Sequence, residues 1–288
     1  MGSALTAMLT AAARSHAPWR CSGARELVAD AAVAGGWQIV GGALRRTGPE
    51  PLVIGIVADA GGSDPKTIAA LTQLRTAFQS HGANLVLTLG GMGATRAELA
   101  ATLTAVSGAW PVVAIPGDLE PIPAHQAAIA DVRGSGSIAL DGRSLRTIEA
   151  KNVLIGIIPG VGSEYRAVAG SDGCTWVAGD IADAFRQWSA FPGLRIAVSA
   201  EAPRETIDGE ATGEIALVPE DPIDVLVHGP TRAIPSSPIR GGRDGTRVAL
   251  SPGTVDATAR LPPIRGTTAG VLVVRDLTWE WSPILGSP

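Results

Sequence analysis

Three short apolar runs, each followed by a glycine, proline or aspartate, constrain the fold of this chain most strongly. They occupy residues 52–58 (LVIGIVA), 85–89 (LVLTL) and 112–115 (VVAI). Continuous, largely β-branched runs of this length predict strands that are buried on both faces of a sheet. Apolar residues with helical spacing separate them, over 65–79 and 95–106. This alternation of strand and helix predicts a parallel sheet with crossover connections.

The second half of the chain has shorter apolar segments between polar turns, which predicts hairpins and a mixed sheet. One such turn is Asp141-Gly142, between the segments 137–140 and 145–149. A helix is predicted at about residues 181–189. The remaining predicted strands lie at residues 153–158, 194–200, 224–229, 247–253 and, as a closing pair, within 270–281. The two halves together predict an α/β fold with two stacked mixed β-sheets flanked by helices.

Residues 1–50 are predicted to form an N-terminal extension, and residues 51–285 the folded domain. Residues 4–13 are an uncharged, mostly apolar run with the length of a secretory h-region, but no Lys or Arg precedes it. Both a trimmed export signal and a frayed terminus fit this run. The first favours a bacterial periplasm or cell envelope over the cytoplasm. The segment 45–51 (RRTGPEP) predicts a hinge at the end of the extension.

A second uncharged stretch, residues 31–44, is not predicted to cross a membrane. It is shorter than the ~20 residues that a bilayer requires, and glycines interrupt it. The sequence therefore predicts no transmembrane segment.

Composition excludes several classes of function. The 288 residues include 27 Asp and Glu against 23 Lys and Arg, a formal net charge of -4. General nucleic-acid and membrane-surface binders carry a strong basic excess instead. The two cysteines, Cys21 and Cys174, lack the spacing of a cysteine-bound zinc site. The sequence neither requires nor excludes a disulfide between them.

The residues that follow the strands are the candidate functional residues, because ligands of open parallel sheets bind at the carboxyl ends of the strands. The first three strand ends carry Asp59, Gly90-Gly91 and Gly117-Asp118. Later strands end near residues 198–203, 228–232 and 251–254.

In this order the strand ends resemble those of the calcineurin-like metallophosphoesterase family. The matching stretches are Asp59-Ala60-Gly61, Gly90-Gly91-Met92, Gly117-Asp118-Leu119-Glu120, residues 198–203 (VSAEAP), His228-Gly229-Pro230-Thr231-Arg232 and Ser251-Pro252-Gly253-Thr254. The likeness spans about residues 52–281. It implies a four-layer sandwich of two sheets and flanking helices. It also implies the family's activity, the hydrolysis of phosphoesters by a pair of metal ions.

Most metal ligands that the resemblance implies are absent. Asp59 matches one ligand, and Asp118 stands at the position of another. The other ligand positions fall on Gly61, Gly91, Ala200, Pro230 and Arg232, and the histidine that assists the leaving group falls on Leu119. Losing even an outer-shell partner lowers metal affinity about 10–100-fold. The sequence therefore predicts a pseudoenzyme without a metal or other cofactor.

A reduced metal site is the alternative. Four side chains lie beside the lost positions: Glu120, Glu201, Asp224 and His228. One divalent metal at Asp59, Asp118 and His228 would suit the preference of such ions for carboxylate and imidazole. In the competing interpretation Glu120 and Glu201 are solvated loop charges and His228 is a buried, hydrogen-bonded imidazole.

Arg232 is a candidate replacement for the metal charge. Asp59 and Asp118 at neighbouring strand ends would repel each other in a partly dry crevice unless a cation lies between them. The hypothesis is that the guanidinium of Arg232, at a lost histidine position, takes that place. The alternative is that Arg232 is exposed and that Asp59 only caps a turn.

The loop after Gly229 is a candidate anion-binding segment. Besides Arg232 it carries Arg240, Arg243 and Arg247 among Gly, Pro and Ser residues. Such a loop suits capture of a phosphate-bearing or acidic partner, although a solvated loop has the same composition.

Two further patterns have structural interpretations. Trp279 and Trp281 alternate along the last strand, so they share a face that packs on the core or, alternatively, binds a partner. His81 and His125 are interpreted as structural residues.

Three functions remain open. The first is a catalytically inactive metallophosphoesterase-like protein that acts as a binding or structural component, with another protein or an anionic ligand as partner. The second is a divergent phosphoester hydrolase with a reduced metal site. The third is a metal-free anion-binding module that uses the arginine loop.

Overall fold

The computed structural model describes residues 19–22, 29–162, 167–203, 206–207, 210–211, 215, 222–229, 239–241, 247–255 and 267–285. The α-helices in this part of the chain are α1 (Pro65–Ser80), α2 (Arg96–Val106), α3 (Ile122–Gly134) and α4 (Ala178–Trp188). The strands of the first half are β1 (Arg20–Cys21), β2 (Ala31–Val33), β3 (Trp37–Val40), β4 (Ala43–Arg46), β5 (Leu52–Val57), β6 (Leu85–Leu89), β7 (Val112–Ile115) and β8 (Ala139–Asp141). The later strands are β9 (Thr147–Ala150), β10 (Val153–Ile158), β11 (Cys174–Thr175), β12 (Leu194–Ser199), β13 (Thr206–Ile207), β14 (Glu210–Ala211), β15 (Val225–His228), β16 (Ile239–Gly241), β17 (Arg247–Leu250), β18 (Thr267–Arg275) and β19 (Thr278–Leu285).

Two large mixed sheets organise the fold. The six-stranded sheet has the order β19-β18-β5-β6-β7-β8, and the nine-stranded sheet has the order β16-β17-β15-β12-β10-β9-β4-β3-β2. Strands β5 to β8 are parallel, and so are β10, β12, β15 and β17. The closing hairpin β18–β19 joins the first sheet antiparallel to β5. The predicted α/β fold with two mixed sheets is confirmed.

The side chains of β5 point alternately into two different cores, which shows how the layers stack. Leu52, Ile54 and Ile56 lie in the core between the two sheets. Val53 and Val57 lie in a second core with apolar residues of α1, α2 and α3. Because successive side chains of a strand point to opposite faces, the six-stranded sheet is covered by its partner sheet on one face and by three helices on the other.

Helix α4 covers the outer face of the nine-stranded sheet. Leu154 of β10 packs in a third core with Ile181, Phe185 and Trp188 of α4. A Cβ at Gly156 would lie 2.2 Å from the Trp188 ring, so only glycine allows the indole to approach the strand. The layers are therefore helices, sheet, sheet and helix, the sandwich that the family resemblance implies.

The predicted N-terminal extension contributes to the nine-stranded sheet. Leu44 of β4 lies opposite Ile148 of β9 in parallel register. Trp37 and Leu44 are buried in the core between the sheets. Residues 31–46 thus supply three strands instead of only preceding the domain. Residues 1–18, which include the run that suggests an export signal, lie outside the described residues.

The Asp141-Gly142 turn does not close a hairpin, contrary to the prediction. Strand β8 before it pairs with β7 in the six-stranded sheet, whereas β9 after it pairs with β10 and β4 in the nine-stranded sheet. The amide of Gly142 donates to the Ala114 carbonyl at 2.8 Å. The turn is therefore fastened to β7, and the chain crosses between sheets.

The aromatic residues of β19 serve the core. Trp279 and Trp281 are partly buried and pack against the core between the sheets. A Cβ at Gly270 would lie 2.0 Å from the Trp281 ring, which shows how closely the indole covers the neighbouring strand. Across the described chain, no helix combines the length and apolar character that a membrane crossing needs.

Candidate functional site

The carboxyl ends of β5, β6 and β7 meet at one edge of the six-stranded sheet. Ligands of open parallel sheets bind in a crevice at such an edge, and we call this place the crevice below. Backbone hydrogen bonds join their loops. The amide of Asp59 donates to the Gly90 carbonyl at 2.9 Å, and that of Gly90 donates to the Ile115 carbonyl at 2.9 Å. Asp59 and Gly117-Asp118 therefore lie at the same edge of the sheet. Contrary to the prediction, they are not at neighbouring strand ends, because β6 lies between β5 and β7.

Glycines at these strand ends leave no room for side chains. Gly91 has φ +68°, and a Cβ there would lie 2.7 Å from the Cα and 2.8 Å from Oδ1 of Asp59. A Cβ at Gly90 would lie 2.8 Å from the Cα of Gly117. These loops are packed backbone to backbone, so a carboxylate at residue 91 would have no space.

The nine-stranded sheet contributes the opposite wall of the crevice. A Cβ at Gly90 would also lie 3.0 Å from the Ala200 Cβ, so the two sheet edges touch at this point. Gly229 packs against the carbonyl of Ala200, where an added Cβ would come within 2.1 Å. A methyl group thus lines the wall where the resemblance implies a metal-binding imidazole.

Glu120 is a buried brace between two strand ends. Its side chain is 1% exposed. Its Oε1 accepts the amide of Met92 at 2.7 Å, and its Oε2 accepts the amide of Gly117 at 2.8 Å. Burial raises the pKa of Glu120, although both backbone hydrogen bonds favour the carboxylate. The interpretation of Glu120 as a solvated loop charge is wrong, and so is that of Glu201, which is 5% exposed.

His228 is a buried imidazole, as one of the two interpretations predicted. It is 3% exposed, and its Nδ1 lies 2.7 Å from the Gly229 carbonyl. A carbonyl only accepts, so Nδ1 carries the proton and donates. Burial lowers the pKa of His228 to about 4, and the Gly229 hydrogen bond only partly opposes this. The ring is therefore neutral at pH 7.

This burial predicts a specific acid sensitivity. Because the folded protein disfavours the imidazolium, the unfolded chain binds more protons between pH 6.5 and about pH 4. Within that window we expect the free energy of unfolding to fall by as much as about 1.4 kcal/mol per pH unit as the pH decreases. His228→Asn keeps an N–H donor and removes the titration, so its stability should depend less on pH. Urea unfolding at about pH 7, 5.5 and 4.5, values that span this window, measures the slope.

The exposed His81 at the end of α1 provides the matched control, His81→Asn. A His228→Asn variant with the parent protein's slope would contradict the assignment of the acid sensitivity to His228.

A buried ionic cluster lies beside the crevice. His125 of α3 and Asp141 are each 2% exposed, and Arg143 is 3% exposed. The Arg143 Nη2 donates to Asp141 Oδ2 at 2.6 Å, and the Nε2 of His125 lies 3.6 Å from Asp141 Oδ1. Burial alone would raise the pKa of Asp141, but His125 and Arg143 outweigh it and hold that pKa well below its usual range. His125 is structural, as predicted, whereas the roles of Asp141 and Arg143 had no sequence pattern to indicate them.

The predicted ligand set for a reduced metal site is only partly brought together. Asp224 precedes β15 and His228 ends it, so they lie at opposite ends of one strand. Asp224 accepts the amide of Arg195 at 2.8 Å. Throughout the part of the chain that the structure describes, no group of three or more His, Cys, Asp or Glu side chains is placed to hold a metal ion.

The two-metal centre implied by the family resemblance does not fit the residues present. Gly91 has no room for a carboxylate, both oxygens of Glu120 already accept backbone amides, and the Nδ1 of His228 faces a carbonyl.

The arginines of the predicted anion-binding loop fall largely outside the described residues. Arg232 and Arg243 belong to segments that the structure does not describe. Arg240 and Arg247 lie on the paired strands β16 and β17. The placement of Arg232 between Asp59 and Asp118 stays a prediction.

A pocket of about 440 Å³ opens at the opposite edge of the sheets, where β5 and β10 begin. Leu52 and Val153 lie in its lining, and Lys151 stands at its rim. Lys151 is paired with Glu50 at 2.9 Å and with Asp276 at 3.2 Å. The sequence did not indicate this pocket, and none of the strand-end residues lines it.

Several solved structures share the fold. TT1561 of Thermus thermophilus is 14% identical over 81% of this chain and 99% of its own length, with a TM-score of 0.55. A dimetal phosphatase from Danio rerio is 10% identical over 83% of this chain and 100% of its own length, with a TM-score of 0.51. GAP50, the anchor in the inner membrane complex of Plasmodium, is 8% identical over 81% and 84%, with a TM-score of 0.50. No protein-family model and no curated protein matches the sequence.

These identities show the fold and nothing finer. The likeness to calcineurin-like metallophosphoesterases, inferred from the strand ends, is confirmed at that level. The chain therefore combines the fold of a dimetal phosphatase with a strand edge that lacks a group of metal ligands among the described residues.

Proposed function

We propose that this protein is a catalytically inactive relative of the metallophosphoesterases that acts as a binding or structural component. The observation that carries the proposal is the contact between Gly91 and Asp59. A Cβ at residue 91 would fall 2.7 Å from the Asp59 Cα, so the position of the bridging carboxylate is filled by backbone. Two-metal hydrolysis needs both ions to be held in place around the phosphate, and this packing opposes it.

The polar groups of the crevice support the same proposal. Glu120 is satisfied by two backbone amides of its own chain, and His228 is neutral and hydrogen bonded to a carbonyl. Neither is arranged as a general acid or base with access to a substrate. Glu120 braces two strand ends, and His228 bonds to the residue that follows its own strand.

The fold is compatible with a role other than catalysis. The Plasmodium protein that shares it is described as an anchor. For this chain we propose a protein or an anionic ligand as the partner. The disulfide described below suits a periplasmic or cell-envelope location, where disulfides persist.

Metal content and turnover test the proposal directly. We expect purified protein incubated with Zn²⁺ or Mn²⁺ and then desalted to retain far less than one metal ion per chain. We also expect no hydrolysis of p-nitrophenyl phosphate or bis-p-nitrophenyl phosphate above the buffer rate. Elemental analysis and absorbance at the nitrophenolate band measure these, with a dimetal phosphatase as the positive control.

Two outcomes would favour the other functions. Metal-dependent turnover that Asp59→Ala abolishes would establish a divergent hydrolase. A rise in Tm with inorganic phosphate in the absence of metal, lost when Arg240 and Arg247 are changed to Gln, would establish an anion-binding module. Arg232→Ala separately tests the replacement-cation hypothesis, which requires this variant to be less stable than the parent.

A further inference from the structure

A disulfide fastens two chain segments that belong to neither large sheet. Cys21 in β1 and Cys174 in β11 are bonded across a sequence separation of 153 residues. Strands β1 and β11 form a sheet of their own with two residues in each strand. Two-stranded sheets are at best marginally stable in water by themselves. The covalent bond therefore gives β1 a restraint that strand pairing alone does not supply.

The hydrogen bonds of this small sheet add little to that restraint. The amide of Ser22 donates to the Gly173 carbonyl at 3.1 Å. The hydroxyl of Ser22 donates to the Asp172 carbonyl at 2.6 Å. The hydroxyl bond is exposed, so water competes for its groups, and the net contribution of one such hydrogen bond is small.

The segment that carries Cys174 packs on the crevice. We call residues 167–177 the latch loop. The amide of Ala169 donates to the carbonyl of Asp118 at 2.9 Å, directly at the end of β7. Thr175 bridges to Val161, which follows β10. The disulfide thus restrains a loop whose backbone is hydrogen bonded to the backbone of Asp118.

The segment that carries Cys21 contacts two other parts of the molecule. The carbonyl of Ser22 accepts from Nη1 of the buried Arg143 at 3.5 Å. Trp19 packs against the core beneath α4. Residues 19–22 therefore link the latch loop, the buried ionic cluster and the third core.

The two cysteines differ in their exposure to solvent. Cys174 is 0% exposed, whereas Cys21 is partly exposed. A thiolate attacks a disulfide at one of its two sulfurs and needs access to that sulfur. A reductant therefore reaches the sulfur of Cys21 without opening the fold, whereas the sulfur of Cys174 is buried.

We propose that the Cys21–Cys174 disulfide is a redox-sensitive latch that holds residues 19–22 and the latch loop against the crevice. A dithiol reductant attacks the Cys21 sulfur, the S–S bond breaks, and Cys174 leaves as a thiolate that takes up a proton. The second thiol of the reductant then displaces Cys21 as a thiol and forms the reductant's own disulfide. Two electrons pass from the dithiol to the protein in this exchange.

Release should be local, because the three hydrophobic cores contain neither cysteine. Residues 19–22 leave β11 and the latch loop loosens at Asp118, while both sheets stay folded.

Hydrogen exchange on the full chain tests the latch. After treatment with dithiothreitol at room temperature, we expect the amides of Ser22, Val161 and Ala169 to exchange about tenfold faster or more, as locally opened segments do. The amides of β5, β6 and β10 should remain protected over the same minutes. The Tm should fall by roughly 10 °C, the loss expected when a cross-link over a loop of this size is removed. The double variant Cys21→Ser/Cys174→Ser is the control and should show the open pattern with or without reductant.

A second readout identifies the attacked sulfur. Brief exposure to glutathione followed by acid quenching should place the glutathione adduct on Cys21 and leave Cys174 as a free thiol. The latch is refuted if reduction requires denaturant, if it unfolds both sheets, or if exchange in the latch loop does not change. An adduct mainly on Cys174 would likewise overturn the proposed order of attack.

Discussion

Gly91→Asp, which restores a carboxylate to the bridging position, should destabilise the protein by about 2–5 kcal/mol and should not restore metal binding. Two costs add in this variant. A non-glycine residue at φ +68° is strained by about 1–2 kcal/mol. The new Cβ would also lie 2.7 Å from the Asp59 Cα, and overpacking of this kind costs about 1–3 kcal/mol. Urea unfolding measures the stability, and elemental analysis of desalted protein measures the bound metal.

Gly82→Asp separates the two costs. Gly82 has φ +72°, and an added Cβ would meet nothing within 4 Å in the described part of the chain, so the same substitution there introduces backbone strain alone. We expect Gly82→Asp to cost about 1–2 kcal/mol and Gly91→Asp clearly more. Equal losses in the two variants would show that the strand ends relax around the new side chain, and stoichiometric metal in Gly91→Asp would show that the centre can be rebuilt.

Arg143→Met should lower the free energy of unfolding by about 3–5 kcal/mol, because it leaves the carboxylate of Asp141 buried without its cation. The two side chains are 3% and 2% exposed, and Arg143 donates to both carboxylate oxygens. His125 is close, but among the described residues neither of its ring nitrogens has a hydrogen-bond partner. The imidazole also lowers the pKa of Asp141, but at 3.6 Å it would have to move closer to replace the guanidinium hydrogen bonds.

An exposed ion pair provides the control. Arg96 pairs with Asp131 at 2.5 Å, and their side chains are 62% and 39% exposed. Arg96→Met should cost no more than about 1 kcal/mol, as is usual for surface pairs. The double variant Asp141→Asn/Arg143→Met should be more stable than Arg143→Met alone, because it removes the unpaired charge. Equal losses from Arg143→Met and Arg96→Met would contradict a buried, energetically coupled cluster.

The layered fold was predictable because its signals are local. The run at β5 is apolar at every position, which indicates a strand covered on both faces, and the structure covers it with the second sheet and with helices. The hairpin predicted at Asp141-Gly142 is absent, because the choice of a pairing partner is not a local signal. Local turn chemistry is the same whether the next strand pairs with the last one or crosses to another sheet. The partner of β9 is chosen by long-range pairing with β4 and β10.

The sequence predicted the sheet edge at which the candidate site lies, but not the contacts of its side chains. Parallel strands bring their ends together, so Asp59, Gly91 and Asp118 were assigned to one edge from spacing alone. Glu120 was misjudged because a glutamate after a strand looks the same in sequence whether water or two backbone amides surround it. The amides that it accepts belong to Met92 and Gly117, and the first lies 28 residues away.

The sequence by itself determined the layers, the edge at which the strand ends meet, and the absence of ligand side chains at Gly61, Gly91 and Ala200. These follow from residue types and from the period of apolar residues along the chain. The tertiary structure decided that residues 31–46 extend a sheet, that Cys21 and Cys174 are bonded, and that Asp141 and Arg143 are paired out of water. The physical reason is distance along the chain: burial, disulfide pairing and strand pairing depend on segments that become neighbours only when the whole chain has folded.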